Sequence, residues 1–202
     1  MMRTRHLKGA LLALAPALLL TGCATSTGPV EVTRFHADQV ARQGRVTIVP
    51  ADAADSNSLE FRAVANAVSA ALARNGFTVL DEGAAGGDVE AVVALTRDTY
   101  APGAQGRSPV SVGVGGSTGS FGSGVGVGIG LNLSGKPKPV VATRLRVQLR
   151  RASDKVAFWE GRAETAAKEG SPAAQPGIAV GRLADALFQG FPGSSGETIT
   201  VQ

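Results

Sequence analysis

Residues 139–151, PVVATRLRVQLRR, alternate without a break: Val141, Thr143, Leu145, Val147 and Leu149 share one side of an extended chain, while Arg144, Arg146, Gln148 and Arg150 share the other. Successive strand side chains point to opposite faces, so this stretch demands a sheet with one covered face and one wet face. Residues 155–165, KVAFWEGRAET, can pair back on it across a turn around Ala152, Ser153 and Asp154. Setting Arg150 opposite Val156 carries Val147 to Trp159, Leu145 to Gly161 and Arg146 to Glu160. A slip by one residue would set Val147 against Glu160, so the first register is expected.

The remaining elements supply the cover. RVTIVP, residues 45–50, carries β-branched residues on both faces and suits a buried strand; residues 30–36 form a weaker strand ahead of it. A helix follows in which Phe61, Val64, Ala65, Val68 and Leu72 recur at spacings of three and four, with Asn57 as its expected cap and Glu60 reaching back. Asn75 and Gly76 stop it. FTVLDE and DVEAVVALTRDTY read as two further strands, and a second helix from about Pro176 carries Val180, Leu183, Ala184 and Leu187 on one stripe. Gly190 ends that helix, and the closing ETITVQ is at best a short edge strand.

The fold class expected is α+β: a single domain with a mixed or antiparallel sheet, two helices on one face, and a Gly-rich β-hairpin inserted at about residues 101–137. The domain is expected to occupy residues 30–193, followed by a tail at 194–202.

The first 22 residues stand apart. Arg3, Arg5 and Lys8 precede an apolar run, ALLALAPALLL at residues 10–20, which ends in TGC. That is the layout of an export signal, and the run is shorter than the ~18–20 residues that a membrane-spanning helix needs. The residues Leu20, Thr21, Gly22 and Cys23 resemble the bacterial lipobox, in which a signal peptidase cuts before the cysteine and lipid is attached to its sulfur and new amino terminus. The resemblance implies lipidation at Cys23, a short tether at 23–29, and, with Ala24 rather than Asp next, sorting to the outer membrane with the domain facing the periplasm.

Of the 20 Lys and Arg residues three precede Cys23, so the processed chain keeps 17 against 16 acidic residues. The near balance removes the basic footprint that a nucleic-acid reading requires. Cys23 is the sole cysteine, so its lipidation leaves no thiol for a disulfide or a Cys-type zinc site, and no cofactor is expected.

From Val30 to Pro192 the chain resembles a family of bacterial lipoproteins known as domain of unknown function 4136. The matching text is ALARNGF at 71–77, GDVEAVV at 87–93, FWEGRAE at 158–164 and LFQGFPG at 187–193, together with the strand-then-helix opening. The resemblance implies an α+β envelope domain and brings no assigned activity.

Three patterns invite a catalytic reading and each lacks a partner. GLNLSGKP, residues 130–137, approaches a phosphate-binding loop, but Pro137 replaces the required Ser or Thr and a strand follows where a helix is needed. GGSTG, residues 115–119, has nucleophile-elbow spacing around Ser117, yet that chemistry wants a strand-to-helix turn and a later histidine, whereas His36 lies earlier. Glu160 and Glu164 on one strand face would stand about 13 Å apart, beyond the ~9.5 Å limit of paired glycosidase carboxylates. No enzyme is expected.

What remains is surface. Arg144, Arg146, Arg150 and Arg162 are expected on the outer sheet face beside Phe158, Val156, Glu160 and Glu164. One reading is a solvated face with cross-strand ion pairs; the other is a contact surface for an acidic partner or a lipid headgroup. The function expected is that of a non-enzymatic outer-membrane lipoprotein, held to the membrane by the lipid on Cys23 and contacting an envelope protein or cell-surface component. The alternative is a homo-oligomeric outer-membrane assembly that uses the 109–134 hairpin for membrane or self-contact, and a hydrolase is the remote one.

That hairpin is GSGVGVGIGLNLSG, residues 122–135, against PVSVGVG, residues 109–115, with Val114 opposite Val125, Val112 opposite Val127 and Val110 opposite Ile129. One face is then aliphatic and the other Gly or Ser, which leaves three readings open: a packed soluble hairpin, a disordered segment, or a membrane or oligomer contact.

Overall fold

The computed structural model describes residues 28–101, 110–117, 124–131 and 138–202, the two middle stretches as backbone only. The leader at 1–22, Cys23, most of the tether, Phe121 and most of GLNLSGKP lie outside the described residues. The chain runs β1 (Val30–His36), β2 (Gly44–Pro50), α1 (Leu59–Arg74), β3 (Phe77–Val79), β4 (Val89–Tyr100), β5 (Val110–Ser117), β6 (Gly124–Leu131), β7 (Val140–Arg151), β8 (Ala157–Lys168), α2 (Pro176–Phe188) and β9 (Thr198–Val201).

Seven strands form one mixed sheet in the order β3-β2-β4-β7-β8-β1-β9. Strand β2 runs parallel to both β3 and β4, with α1 as the crossover between β2 and β3; the other neighbours pair antiparallel. The expected α+β class holds, and α1 and α2 close the same core. Strands β5 and β6 form a separate two-stranded sheet.

Packing follows the sequence periodicities. Phe61, Val64, Val68, Ala71 and Leu72 bury one stripe of α1, and Val180, Leu183, Ala184 and Leu187 bury that of α2. Under them lie Val89, Ala91 and Val93 from β4 and Leu145, Val147 and Leu149 from β7. An aromatic group closes one side, where Trp159 stacks on Phe188 with ring centroids 5.2 Å apart and Phe191 lies 5.2 Å from Trp159. The indole Nε1 donates to the Pro192 carbonyl at 3.0 Å, so the largest core side chain leaves no stranded donor.

Five expectations change. Asn57 does not cap α1: it ends a 3-10 turn at Ala53–Asn57, and Ser58 is the cap, its Oγ accepting from the Phe61 amide at 2.9 Å. Strand β2 is not buried on both faces. Val46 is fully enclosed and Ile48, on the same face, is half-buried against the core, while Thr47 and Val49 are half-buried on the outer face, which no layer covers.

The β7–β8 register sits two residues from the expected one: Val147 faces Gly161, Leu145 faces Ala163, Arg146 faces Arg162 and Gln148 faces Glu160. Half the offset comes from the turn, where Arg151 receives the chain back at Val156 and Lys155 takes φ 59°. The other half comes from a bulge at Leu149/Arg150, against Ala157 and Trp159. The bulge breaks the strict alternation, and Phe158 is 5% exposed, in the core beside Trp159. Phe158 therefore leaves the proposed outer surface. The β5–β6 ladder is also shifted by two, pairing Val110 with Leu131, Val112 with Ile129 and Val114 with Val127.

Candidate functional site

The outer face of the seven-stranded sheet carries the charged side chains that the alternation in β7 places there. Arg144, Arg146, Arg150 and Arg162 all stand on it, and each guanidinium meets a carboxylate. Arg144 Nε donates to Glu164 Oε2 at 2.9 Å, and Arg150 Nε donates to Glu90 Oε2 at 2.9 Å. Glu160 is the shared acceptor: Arg146 reaches its Oε2 at 3.0 Å and Arg162 its Oε1 at 3.0 Å. Arg146 and Arg162 are direct cross-strand partners, an arrangement of like charges that Glu160, one position away along β8 from Gly161, neutralises in part.

Burial pushes the Glu160 carboxyl upward, but the two guanidinium bonds outweigh it and hold the group below the usual carboxylate range. Glu90 is held low in the same sense, first by the Lys155 ammonium and then by Arg150, against the pull of burial. The bond to Glu164 raises Arg144 further above its ordinary value.

On this face lies a depression of about 620 Å³, lined by Ala94 and Thr96 of β4, Arg144 and Arg146 of β7, Arg162 and Glu164 of β8, and Glu31 and Thr33 of β1. Sequence reading missed Glu90, Thr96, Glu31 and Thr33. The alternation in β4 and β1 puts each on an outer position, but which strands lie beside β7 and β8 is not written in any local pattern.

His36, the histidine singled out earlier, sits at the end of β1. Its Nδ1 lies 2.8 Å from the Ala37 carbonyl and its Nε2 lies 3.2 Å from the Gly193 carbonyl. Ser117 ends β5, and among the described residues the next element is strand β6 and not the helix that a nucleophile elbow requires. Among the described residues no group of three or more His, Cys, Asp or Glu could hold a metal ion, and no helix is long and apolar enough to cross a membrane.

At the entry to β1 the tether is held by the fold. Arg182 of α2 donates to the Gly28 carbonyl at 2.9 Å, and Thr165 Oγ1 donates to the Pro29 carbonyl at 3.0 Å. Cys23 itself lies outside the described residues.

Among solved structures, the chain is similar to a PDZ domain protein from Parabacteroides distasonis, at TM-score 0.46 and 14% identity; the match covers 86% of this chain and spans only 39% of that one. It is also similar to a PelC dodecamer from Paraburkholderia phytofirmans, at TM-score 0.38 and 12% identity over 77% of this chain and 95% of that one. In sequence it is 33% identical over 217 residues to an uncharacterized protein of Zymomonas mobilis, covering 88% of this chain and 82% of that protein. The family model for a domain of unknown function, number 4136, matches residues 34–193. With that match running from β1 to the residues that follow α2, the chain belongs to the family of domain of unknown function 4136.

Proposed function

We propose that the chain is exported, lipidated at Cys23 and held at the periplasmic face of the outer membrane as a non-enzymatic binding module of the envelope. The observation that carries this reading is the distance between anchor and fold. Cys23 follows a leader-like segment, and the domain takes hold of the chain at Gly28, five residues later. Five extended residues reach at most about 17 Å, so the anchor would keep the domain against the membrane surface. One acyl chain binds only marginally, and the complete lipoprotein modification supplies the further chains that stable anchoring needs.

The contact surface in this reading is the uncovered sheet face. Arg146 and Arg162 share one carboxylate, so the pair keeps net positive charge and unassigned N–H donors beside a recess, which suits an acidic group of a partner. Replacing Cys23 by Ser tests the anchor: the variant should appear in the soluble periplasmic fraction, and a variant still bound to membrane sinks it. Reversing Arg146 and Arg162 together to Glu tests the surface. Crosslinks formed in the intact envelope should be lost, and an unchanged pattern would assign the face to solvent.

A further inference from the structure

Strand β4 puts a cation on the side of the sheet that the helices cover. Val89, Ala91 and Val93 are buried there and Leu95 packs against the core, and the same alternation carries Arg97 and Thr99 to that side. Arg97 is half-buried, and its Nη2 donates to the Ala174 carbonyl at 2.8 Å. Among the described residues no carboxylate forms an ion pair with it, in contrast to Arg144, Arg146, Arg150 and Arg162 on the outer face. Its Nε is enclosed and has no hydrogen-bond partner among them.

A second such atom belongs to the same pocket. Ser171 precedes the 3-10 turn Pro172–Ala174, where a serine ordinarily caps, yet its side chain caps nothing. Its amide and carbonyl are bonded to Lys168 and Ala174, while its Oγ is enclosed and unpartnered. Among the described residues, Arg97 Nε and Ser171 Oγ are the two buried side-chain polar atoms in that condition. Both residues line one pocket of about 450 Å³, together with Thr99, Val141, Glu169 and Gln175.

The pocket lies at the sheet end where the chain enters. One row of paired residues runs from Arg97 of β4 through Thr143 of β7 and Thr165 of β8 to Val30 of β1; beyond it β4 runs out to Tyr100 and β7 starts at Val140. Helix α2 begins on this pocket at Pro176, and its first turn has neither a side-chain cap nor an acidic residue. A helix start carries partial positive charge, which adds to the charge of Arg97. Glu169, the acid of the lining, is exposed and forms no ion pair with Arg97.

We propose that this pocket binds the phosphate group of a small ligand, with Arg97 Nε and Ser171 Oγ donating to its oxygens. A guanidinium Nε can only donate, and a buried donor without an acceptor is costly, so the missing partner is an acceptor. The unpaired charge of Arg97 beside the helix start selects a negative one. Phosphate oxygens point in several directions and can accept from β4 and from the residue ahead of the 3-10 turn at once. The volume falls within the range of small-molecule sites and exceeds what a bare anion fills, so the phosphate is one end of a larger molecule. The site is separate from the outer sheet face and does not depend on the anchor.

The test titrates inorganic phosphate into the isotope-labelled full chain, held in neutral detergent and phosphate-free buffer. The amides of Gly170, Ser171 and Gln175 should shift saturably, while those around Arg162 stay in place. Arg97→Gln should weaken binding about tenfold or more and Ser171→Ala about fivefold, whereas Arg146→Gln, on the outer face, should leave it unchanged. Near-ultraviolet circular dichroism of Trp159 checks that each variant is folded. Should Arg97→Gln not fold, Ser171→Ala decides, and unchanged affinity there overturns the proposal. Dihexanoyl phosphatidylglycerol and glycerol phosphate distinguish the source: displacement by the first assigns a lipid headgroup and by the second a soluble phosphate ester, and either sustains the site. The absence of saturable shifts overturns it. So does binding that Arg146→Gln weakens as much as Arg97→Gln, since the anion would then sit on the outer face.

Discussion

Arg34 of β1 closes the C-terminal end of α2: its Nε donates to the Leu187 carbonyl at 2.9 Å. The same guanidinium reaches the carbonyls of Ala186 at 2.9 Å and Gln189 at 3.0 Å, although Arg34 is only 5% exposed. Helix C-termini leave carbonyls without intrahelical donors and carry partial negative charge, so a buried cation is accommodated here by backbone instead of a carboxylate. Burial lowers the proton affinity of Arg34 from its ordinary value. Arg34→Leu removes three charge-assisted bonds and should cost about 2–4 kcal/mol in denaturant unfolding. Arg34→Lys, which lacks the fork, should recover only part of that loss.

Glu160 accepts from two arginines that oppose one another across β7 and β8, and its side chain is 19% exposed. Glu160→Gln should destabilise by about 1 kcal/mol, less at high salt because Arg146 and Arg162 are half exposed. The pH dependence has a fixed sign. Glu160 and Glu90 have lowered folded-state values, so their contribution is complete above the unfolded carboxylate value near 4.3 and disappears as pH falls through the folded values. Denaturation midpoints should therefore drop below about pH 4, with a shallower drop in Glu160→Gln.

Gly161 lies on the inner face of β8 beneath the indole it helps to seat. A methyl group there would come within 2.5 Å of Trp159 Cη2 and 2.6 Å of Leu187 Cδ1, both held by packing. Gly161→Ala should cost about 1–3 kcal/mol and change the near-ultraviolet circular dichroism of Trp159. A neutral result would mean that α2 shifts off the sheet without penalty.

The start of α1 offers a paired comparison. Ser58→Ala removes the bond to the Phe61 amide and should cost about 1 kcal/mol, whereas Asn57→Ala should change the unfolding midpoint little. Equal losses would return the cap to Asn57.

Strand and helix identities were legible because each depends on a period of two or of three and four. The stripes of α1 and α2, the buried side of β7 and the outward row Arg144, Arg146 and Arg150 all follow from it. The α1 cap was misplaced by one residue because Asn57 and Ser58 are both good caps, and only the 3-10 turn ahead of the helix separates them.

Alternation determined which side chains of β7 are wet and which are dry; it misplaced Phe158 of β8 and could not determine who faces whom. A slip of two residues leaves every side chain on its own face, so the sequence was silent between Glu160 and Arg162 as the partner of Arg146, and between Val125 and Val127 as the partner of Val114. Tertiary structure settled the first through a one-residue change in the turn plus a one-residue bulge, which also drew Phe158 into the core beside Trp159. It also placed β1 between β8 and β9 and β4 beside β7. That neighbourhood brings Thr33 and Thr96 to the arginines and sets the tether and the insertion at one end of the sheet. Strand order depends on contacts between residues far apart in the chain, and local pattern carries no record of them.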